Sequence, residues 1–228
     1  MTVKKLAVFD WNGTLIADTT MAWVASNACL EFYGKPPITL KKQRETFDFP
    51  VIHYYKRNGC DIDRVLATKE EANAIFQTRY EELAAQVRTR RGARELLEWL
   101  HGQDVSCIIL SNYLTHKIEP QLRRLKIAHF FSHVSANNCD GTTILSATNK
   151  LERLSHFLVK RGYHPDHAFI IGDSMEEPDI GRKLGILSIG ITGGCITEQR
   201  LRRARPDHTI HKLLEARDIL CNKWGLRH

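Results

Sequence analysis

Short apolar runs alternate with segments of helical periodicity along most of the chain. Continuous apolar runs are typical of strands buried on both faces of a parallel sheet, and they occur at 6–9, 105–110, 168–171 and 186–189, with a weaker one at 133–135. Helical patterns follow or separate them at 94–101, 118–125, 151–160 and 180–184. This alternation predicts the α/β class, with a doubly wound parallel sheet and a Rossmann-like core.

The stretch between the first two apolar runs has only helical patterns. A helix is expected to begin at Asp18-Thr19-Thr20 and to stop at Gly34, followed by helices at 39–47 and 50–57 and a long one that begins at Asp61 or Asp63. Because one strand precedes this block and the others follow it, we expect an inserted all-helical cap domain at 17–88. The core domain is then formed by 1–16 and 89–228.

Composition and charge narrow the class of protein. Of 228 residues, 43% are hydrophobic, and no apolar run approaches the roughly 20 residues of a membrane helix. The six cysteines form no Cys-x-x-Cys pair, which favours reduced thiols and a cytoplasmic location. The net charge is +7, but the Lys and Arg residues are mixed with Asp and Glu along the predicted helices and form no dense basic tract. We therefore expect neither nucleic-acid binding nor membrane binding. No pattern indicates an oligomeric state.

A carboxylate follows the first apolar run directly. Asp10 comes after 6–9, and Gly13 allows a sharp turn just beyond it. The ends of parallel strands form the ligand crevice of open α/β folds. An acid at such a buried place is costly unless a metal ion or anion chemistry requires it. The position of Asp10 therefore predicts an active site.

Polar residues also follow the later apolar runs. Ser111 and Asn112 follow the second, Lys150 precedes a helix, and Asp173, Glu176 and Glu177 follow the fourth, where clustered acids suit a hard cation such as Mg²⁺. Taken singly, each has an ordinary structural explanation: a helix cap, a surface lysine, or acids at a helix N-terminus. The Asp140-Gly141-Thr142 segment repeats part of the first motif without an apolar run before it, and is interpreted as a turn.

Taken in order, these segments resemble the signatures of the haloacid dehalogenase-like hydrolase superfamily. Those signatures are an Asp-x-Asp-Gly-Thr strand end, a Ser or Thr strand end, a Lys, and Gly-Asp-x-x-x-Asp. The resemblance covers nearly the whole chain, and the helical block is similar to the cap of phosphoglycolate phosphatase-like members. It implies a Mg²⁺-dependent hydrolase of small phosphate monoesters, with a small phosphorylated metabolite as substrate.

The resemblance also implies roles for individual residues. Asp10 would attack phosphorus and form an aspartyl-phosphate. Ser111 and Lys150 would hold the transferring group, in a substrate-binding set that also contains Gly13, Thr14 and Asn112. Mg²⁺ would be bound by Asp10, the backbone carbonyl of Asn12, Asp173 and Glu177. Because Glu177 is one methylene longer than the Asp of the motif, we expect contact through water or a shifted pose, and Glu176 is a competing ligand.

Asn12 departs from the family pattern, because phosphatases of the family carry there the Asp that protonates the leaving group and then activates water. Such acid–base help is typically worth 10²–10⁴-fold in rate. Four explanations stay open: substrates with good leaving groups such as acyl phosphates, an acid supplied by the cap, a slow or phosphate-binding relic, or an engineered change. Asn12-Gly13 is also a pair prone to deamidation, which would restore Asp or isoAsp at position 12.

Two other functions fit the same residues. Phosphonate hydrolases of the family also lack the second Asp, but they carry Ala there and need a cap lysine, for which Lys41, Lys42 and Lys56 are the candidates. A non-catalytic phospholigand-binding protein would keep the same cleft. Arg90 and Arg91, at the expected cap hinge, either contact a substrate anion or are plain solvated charges.

Overall fold

The computed structural model describes residues 4–138, 145 and 149–227. Its centre is a six-stranded sheet of parallel strands in the order β3-β2-β1-β4-β5-β6. The strands are β1 (Lys5–Phe9), β2 (Val105–Leu114), β3 (Phe131–Asn137), β4 (Ala168–Gly172), β5 (Leu187–Ile191) and β6 (His208–Ile210). β1 lies at the centre, with β2 and β4 as its neighbours, so the topological switch point lies at its C-terminal end.

Helices cover both faces of the sheet. They are α1 (Thr19–Phe32), α2 (Leu40–Thr46), α3 (Ile52–Arg57), α4 (Ile62–Ala67), α5 (Lys69–Ala84), α6 (Ala93–Gly102), α7 (Thr115–Arg124), α8 (Lys150–Arg161), α9 (Glu176–Leu184), α10 (Glu198–Arg203) and α11 (Glu215–Trp224). Ala128–Phe130 and Pro165–His167 form short 3-10 turns.

Alternate residues of the central strands enter two different hydrophobic cores. Ala7 and Phe9 pack with residues of α6, α7 and α11, whereas Leu6 and Val8 pack with residues of α8 and α9. Both faces of the sheet are therefore buried, as the continuous apolar runs predict. The α/β class and the doubly wound parallel sheet are confirmed.

Helices α1–α5 all lie between β1 and β2 and share a third core. It contains Cys29, Leu30, Tyr33, Tyr54, Tyr55 and Val65, together with Leu145. The expected single long helix beyond Asp61 is wrong, because the chain forms α4 and α5 with a break at Thr68. Thr68 has non-helical backbone angles, and its hydroxyl donates to the Arg64 carbonyl at 2.8 Å. The exact limits of a cap domain at 17–88 remain a prediction.

Other differences concern lengths and short elements. β2 continues to Leu114 with a register shift against β3, so Ser111 and Asn112 lie within the strand instead of following it. β6, α10 and α11 are elements that the sequence pattern does not predict. The Asp140-Gly141-Thr142 segment lies outside the described residues.

Two further findings concern membrane-spanning helices and the state of the cysteines. Within 4–138 and 149–227, no helix is long and apolar enough to span a bilayer. The described cysteines Cys29, Cys60, Cys107, Cys195 and Cys221 are free thiols.

Candidate active site

A buried lysine links two carboxylates at the C-terminal edge of the sheet. Lys150, the first residue of α8, places Nζ 2.7 Å from Oδ1 of Asp10 and 2.8 Å from Oε1 of Glu177. Asp10 follows β1, and Glu177 lies in the first turn of α9 with no exposed surface. Three segments far apart in sequence thus meet in one hydrogen-bonded ion cluster.

The carboxylates at this edge outnumber the cation that faces them. The buried carboxylates of Asp10 and Glu177 share the ammonium of Lys150, and the buried carboxylate of Asp173 is close enough to both for their charges to interact. Burial raises the pKa of Asp10 well above its ordinary value, although Lys150 opposes that rise. Burial and the charge of Glu177 raise the pKa of Asp173 to about 7. Burial also disfavours ionised Glu177, but Lys150 and Ser174 outweigh it and hold the pKa of Glu177 below its usual range.

Two glycines leave room for the carboxylate of Asp173. A Cβ atom built on Gly194 would lie 1.8 Å from Oδ2 of Asp173, and one built on Gly13 would lie 2.1 Å from the same oxygen. Gly13 also has a φ of +68°, which other residues rarely adopt. The backbone N–H of Cys195 donates to Oδ2 of Asp173 at 2.6 Å. Asp173 is therefore clamped between two backbone segments, close to the loop that carries Asn12.

Asn12 belongs to a second buried cluster beside the first. Its side-chain amide nitrogen donates to Oδ2 of Asp18 at 2.7 Å and to the Tyr80 hydroxyl at 2.8 Å. Tyr80 in turn donates to Oδ2 of Asp18 at 2.6 Å, and the backbone N–H of Gly13 donates to Oδ1 at 2.6 Å. Burial raises the pKa of Asp18, and these donors oppose the rise. An amide at position 12 can donate to Asp18, whereas a carboxylate there would repel it.

Ser111 and Asn112 lie opposite this cluster, in β2. The Ser111 oxygen accepts from the Tyr113 backbone N–H at 3.0 Å, which leaves its hydroxyl hydrogen for another acceptor. Asn112 donates to Oε2 of Glu176 at 2.6 Å, and its own side-chain oxygen is buried without a hydrogen-bond partner among the described residues. The same Glu176 oxygen is 3.6 Å from Lys150 Nζ.

The oxygen donors at this edge suit a hard divalent cation. Buried carboxylates in excess of nearby cations, as at Asp10 and Asp173, are the donors that Mg²⁺ prefers. Glu177 uses its two oxygens for Lys150 and for Ser174, at 2.8 and 2.6 Å. In the described part of the chain no three His, Cys, Asp or Glu side chains are grouped so that they could hold a metal ion by themselves, so a cation at this edge would also need backbone carbonyls or water as ligands.

One cavity connects these groups to helices α1, α2, α3 and α5. The space open to the centre of a water molecule is about 180 Å³. Of the predicted site residues, seven line it: Asp10, Asn12, Gly13, Ser111, Asn112, Lys150 and Asp173. Thr14 and Glu177 lie behind them and are buried, with the Thr14 hydroxyl 3.4 Å from Oδ2 of Asp10.

Some residues near the site have roles that the sequence pattern does not show. Arg90 donates to the carbonyls of Gly13 and Thr192, so it braces two loops of the active-site edge. Asp18 is expected from the sequence only to begin a helix, but its side chain makes no capping bond to α1 because Asn12, Gly13 and Tyr80 occupy it. No motif points to Cys195. The 62 residues between Asp18 and Tyr80 explain why no sequence motif reveals their contact.

Comparison with known protein families gives a match over most of the chain. The sequence profile described as "haloacid dehalogenase-like hydrolase" matches residues 7–176. This interval includes Asp10, Ser111, Lys150 and Asp173.

Curated relatives and solved structures are similar over nearly the full length. The chain is 26% identical to a phosphoglycolate phosphatase of Pseudomonas putida over 199 residues, which cover 85% of this chain and 71% of the relative. It is also 26% identical to a phosphoglycolate phosphatase of Synechococcus elongatus over 214 residues, covering 92% and 95%.

Among solved structures, one described as a "predicted phosphatase" from Clostridium acetobutylicum superposes with a TM-score of 0.76 at 16% identity, covering 97% of this chain and 100% of that one. A hydrolase from Deinococcus radiodurans, solved with bound phosphate and sodium, has a TM-score of 0.70 at 18% identity and covers 98% and 97%. At these identities the structures show a shared fold alone.

Proposed function

Since the chain belongs to the haloacid dehalogenase-like hydrolases and its curated relatives are phosphatases, we propose that it hydrolyses small phosphate monoesters through an aspartyl-phosphate on Asp10. The observation that carries this proposal is the contact of Asp10 with Lys150. The Lys150 ammonium lies 2.7 Å from Oδ1 of Asp10. Both residues line the cavity, as do Ser111 and Asp173.

In the first step, a carboxylate oxygen of Asp10 attacks phosphorus, and the bond to the leaving oxygen breaks. Lys150 holds the Asp10 carboxylate in place, and its charge compensates that of the transferring group. The Ser111 hydroxyl supplies a hydrogen bond to a phosphoryl oxygen. In this proposal Glu177 does not contact the substrate. Its Oε1 accepts a hydrogen bond from Lys150 Nζ at 2.8 Å and so holds the lysine in position.

Mg²⁺ completes the proposed site. Asp10, the backbone carbonyl of Asn12 and Asp173 would hold the ion, with Glu177 reaching it through water. The bound ion would shield the negative charge of the nucleophile and stabilise charge on the phosphoryl group. Support for this part of the proposal comes from the excess of buried carboxylates over cations around Lys150 and from the oxygen-rich donor set.

The helices between β1 and β2 would act as the cap, with limits at 17–88. Their contribution to the cavity comes from α1, α2, α3 and α5, whose residues line it together with Asp10 and Asn12. A phosphonate hydrolase would need a cap lysine in this cavity. The predicted candidates Lys41, Lys42 and Lys56 are exposed and do not line it, whereas Lys69 of α5 does. The free thiols of the described cysteines support a location in the cytoplasm. The proposed substrate is a small phosphorylated metabolite of that compartment.

Phosphate release from a panel of phosphorylated metabolites and acyl phosphates, with Mg²⁺ or with EDTA, tests the proposal. The proposal predicts Mg²⁺-dependent release that falls at least 10³-fold in Asp10→Ala, because the nucleophile is lost. Asp63→Ala, an exposed aspartate in α4, is the matched control and should keep full activity. Release that Asp10→Ala leaves unchanged would exclude Asp10 as the nucleophile.

A further inference from the structure

Eight aromatic side chains line the cavity above Asp10 and form what we call its aromatic wall. They come from helices and loops of the block between β1 and β2 and from the end of β2, and include Tyr33, Phe47, Phe49, Tyr54, Phe76 and Tyr113. Several contact one another edge-on, as Phe47 does with Phe49 at a centroid distance of 5.2 Å. Such walls bind flat apolar groups through both area and ring geometry.

Cations are scarce on the same wall. Among the described residues that line the cavity, the cationic ones are Lys69 and Lys150. Lys150 is bound to Asp10 and Glu177, and Lys69 lies 3.6 Å from the carboxylate of its neighbour Glu70. A second anionic group on the substrate, such as a carboxylate, would therefore be desolvated against aromatic rings, with the half-exposed ammonium of Lys69, which water screens, as its counter-charge.

Two arginines at the active-site edge, Arg44 and Arg90, are bound to backbone carbonyls. Arg44 donates to the carbonyls of Gly193 and Gly194, and Arg90 to those of Gly13 and Thr192. Each side chain therefore braces backbone at the active-site edge. Neither belongs to the cavity lining, so neither adds a positive charge to the aromatic wall.

Several buried polar side-chain atoms in this wall lack a hydrogen-bond partner among the described residues: the side-chain oxygens of Gln43 and Asn112 and the hydroxyls of Tyr33 and Tyr54. Gln43 is only 5% exposed, and its amide nitrogen donates to the Ser26 hydroxyl at 3.2 Å. Its side-chain oxygen has no hydrogen-bond partner in the part of the chain that the structure describes. Gln43 and Ser26 both line the cavity. Because a buried acceptor without a donor is costly, this oxygen suits an occupant with an N–H or O–H group.

Asn12 restricts the chemistry of the leaving group. A side-chain amide donates no proton to a departing oxygen, and its nitrogen is already bound to Asp18 and Tyr80. With no proton from Asn12, the site favours a leaving group that is stable as an anion. A phenol, with a pKa near 10 as in tyrosine, departs as an anion far more readily than an aliphatic alcohol. The aromatic side chains of the cavity thus favour a substrate that has an aromatic ring. The lack of a proton from Asn12 favours a leaving oxygen that is attached to such a ring.

We propose that the substrate class is an aryl phosphate: a phosphate ester whose oxygen is attached directly to an uncharged aromatic ring. This inference rests on the proposed phosphatase function and adds the identity of the leaving group. Asp10 forms a bond to phosphorus, and the bond from phosphorus to the aryl oxygen breaks with its electron pair, releasing a phenolate that takes a proton from solvent. Water then attacks the aspartyl-phosphate, freeing the Asp10 carboxylate and dihydrogen phosphate, which keeps both hydrogens of the water.

Four substrates assayed with Mg²⁺ test the inference: phenyl phosphate, benzyl phosphate, phosphoglycolate and acetyl phosphate. Benzyl phosphate has the ring but an aliphatic leaving oxygen. We expect kcat for phenyl phosphate to exceed that for benzyl phosphate by at least about 100-fold, the lower end of the rate that acid catalysis supplies. For phosphoglycolate we expect a KM at least about tenfold above that for benzyl phosphate, because its carboxylate meets the aromatic wall.

The outcomes separate this inference from the function on which it rests. Turnover of phosphoglycolate equal to or faster than that of phenyl phosphate overturns the aryl assignment and leaves the phosphatase proposal standing. Release from none of the four, including the activated acetyl phosphate, overturns both. A preference for phenyl phosphate that also requires Asp10 supports both.

A wall variant provides a second test. Phe47→Ala should raise the KM for phenyl phosphate by about tenfold, while the KM for acetyl phosphate, which has no ring, stays unchanged and shows that the variant is folded. Phe157→Ala removes a similarly half-buried ring that stacks on Tyr163 outside the cavity, and should change neither KM. An unchanged KM for phenyl phosphate in Phe47→Ala would contradict the proposed place of the ring.

Discussion

Asn12 donates its side-chain amide to the buried carboxylate of Asp18, 2.7 Å away. This contact gives the unusual asparagine a structural reason. Asp18 is 1% exposed and accepts from three groups, of which Asn12 is one and the Tyr80 hydroxyl another. A carboxylate at position 12 would remove one donor and place two buried negative charges side by side, which raises the pKa of one of them.

Replacing Asn12 with Asp therefore changes two properties at once. The variant gains a group able to protonate a leaving oxygen, so we expect kcat for aliphatic phosphate esters to rise at least about tenfold. The kcat for phenyl phosphate should change less, because its leaving group needs less help. The measurement is kcat for benzyl and phenyl phosphate in both proteins.

The double variant Asn12→Asp with Asp18→Asn is the matched control for the repulsion. It keeps one carboxylate and one amide in the pair, and should retain the gain with a smaller loss of stability. No gain for benzyl phosphate in either variant would mean that another group already protonates the leaving oxygen, contrary to the limit on the leaving group inferred from Asn12.

Lys150 is expected to stabilise the fold as well as the reaction. Lys150→Met leaves the carboxylates of Asp10 and Glu177 buried without their counter-charge, and breaking such a buried cluster typically costs about 3–5 kcal/mol. Urea unfolding at pH 7 in EDTA measures this loss. Lys160→Met, on the exposed side of the same helix, is the control and should change the free energy of unfolding by no more than about 0.5 kcal/mol. Equal effects of the two substitutions would contradict the central place of Lys150.

The carboxylates predict how pH affects the metal-free protein. The pKa of Asp173 is about 7 in the folded protein against an ordinary value of 3.8, so the folded state binds more protons than the unfolded chain between these values. Stability in EDTA should therefore fall as pH rises from about 4 to about 7, by up to roughly 4 kcal/mol from this group. Asp10 shifts in the same direction, whereas the lowered pKa of Glu177 acts only at more acidic pH.

Mg²⁺ should reverse this trend, because a bound cation favours the ionised carboxylates. Thermal unfolding at pH 5 and pH 8, with EDTA or with Mg²⁺, should show a larger stabilisation by Mg²⁺ at pH 8. Asp173→Asn should flatten the pH dependence in EDTA, while Asp166→Asn, an exposed aspartate, should keep it. A stability in EDTA that increases from pH 5 to pH 8 would be inconsistent with the buried, uncompensated carboxylates.

Gly194 tests whether the position of Asp173 matters for the metal ion. A Cβ at this residue would lie 1.8 Å from Oδ2 of Asp173, so Gly194→Ala must displace the carboxylate or the loop. We expect at least about a tenfold weaker apparent affinity for Mg²⁺ in the phosphatase assay. Gly102→Ala, where an added Cβ has nothing within 4 Å, is the control. Unchanged Mg²⁺ dependence in Gly194→Ala would contradict a metal site that depends on the contact between Gly194 and Asp173.

The sequence predicts the central sheet well because its strands are buried on both faces. Continuous apolar runs such as 168–171 contain no polar residue, so they are easily recognised as buried strands. The C-terminal ends of β1 and β4 lie side by side and bring Asp10 and Asp173 to the same edge of the sheet. β6 escapes prediction because His208–Ile210 is only three residues long and includes two polar ones. The break at Thr68 also escapes it, since the apolar spacing continues on both sides of that residue.

The site is predictable only where it depends on strand ends and on motifs. The cluster of Asn12, Asp18 and Tyr80 depends on how α5 packs over the loop after β1, and nothing in the spacing of these residues indicates it. The aromatic wall of the cavity has the same origin, because its rings come from separate helices, loops and the end of β2 and resemble ordinary core residues in the sequence. Contacts between distant segments are therefore what the structure adds.

The most direct measurement of the central claim is a chemical trap of the nucleophile. Acid quenching during turnover of phenyl phosphate, followed by borohydride reduction and peptide mass spectrometry, converts an acyl phosphate at an aspartate into homoserine. If Asp10 is the nucleophile, homoserine appears at position 10, depends on substrate and is absent from every other aspartate. An unmodified Asp10 in enzyme that is turning over, or homoserine at a different position, would contradict the claim.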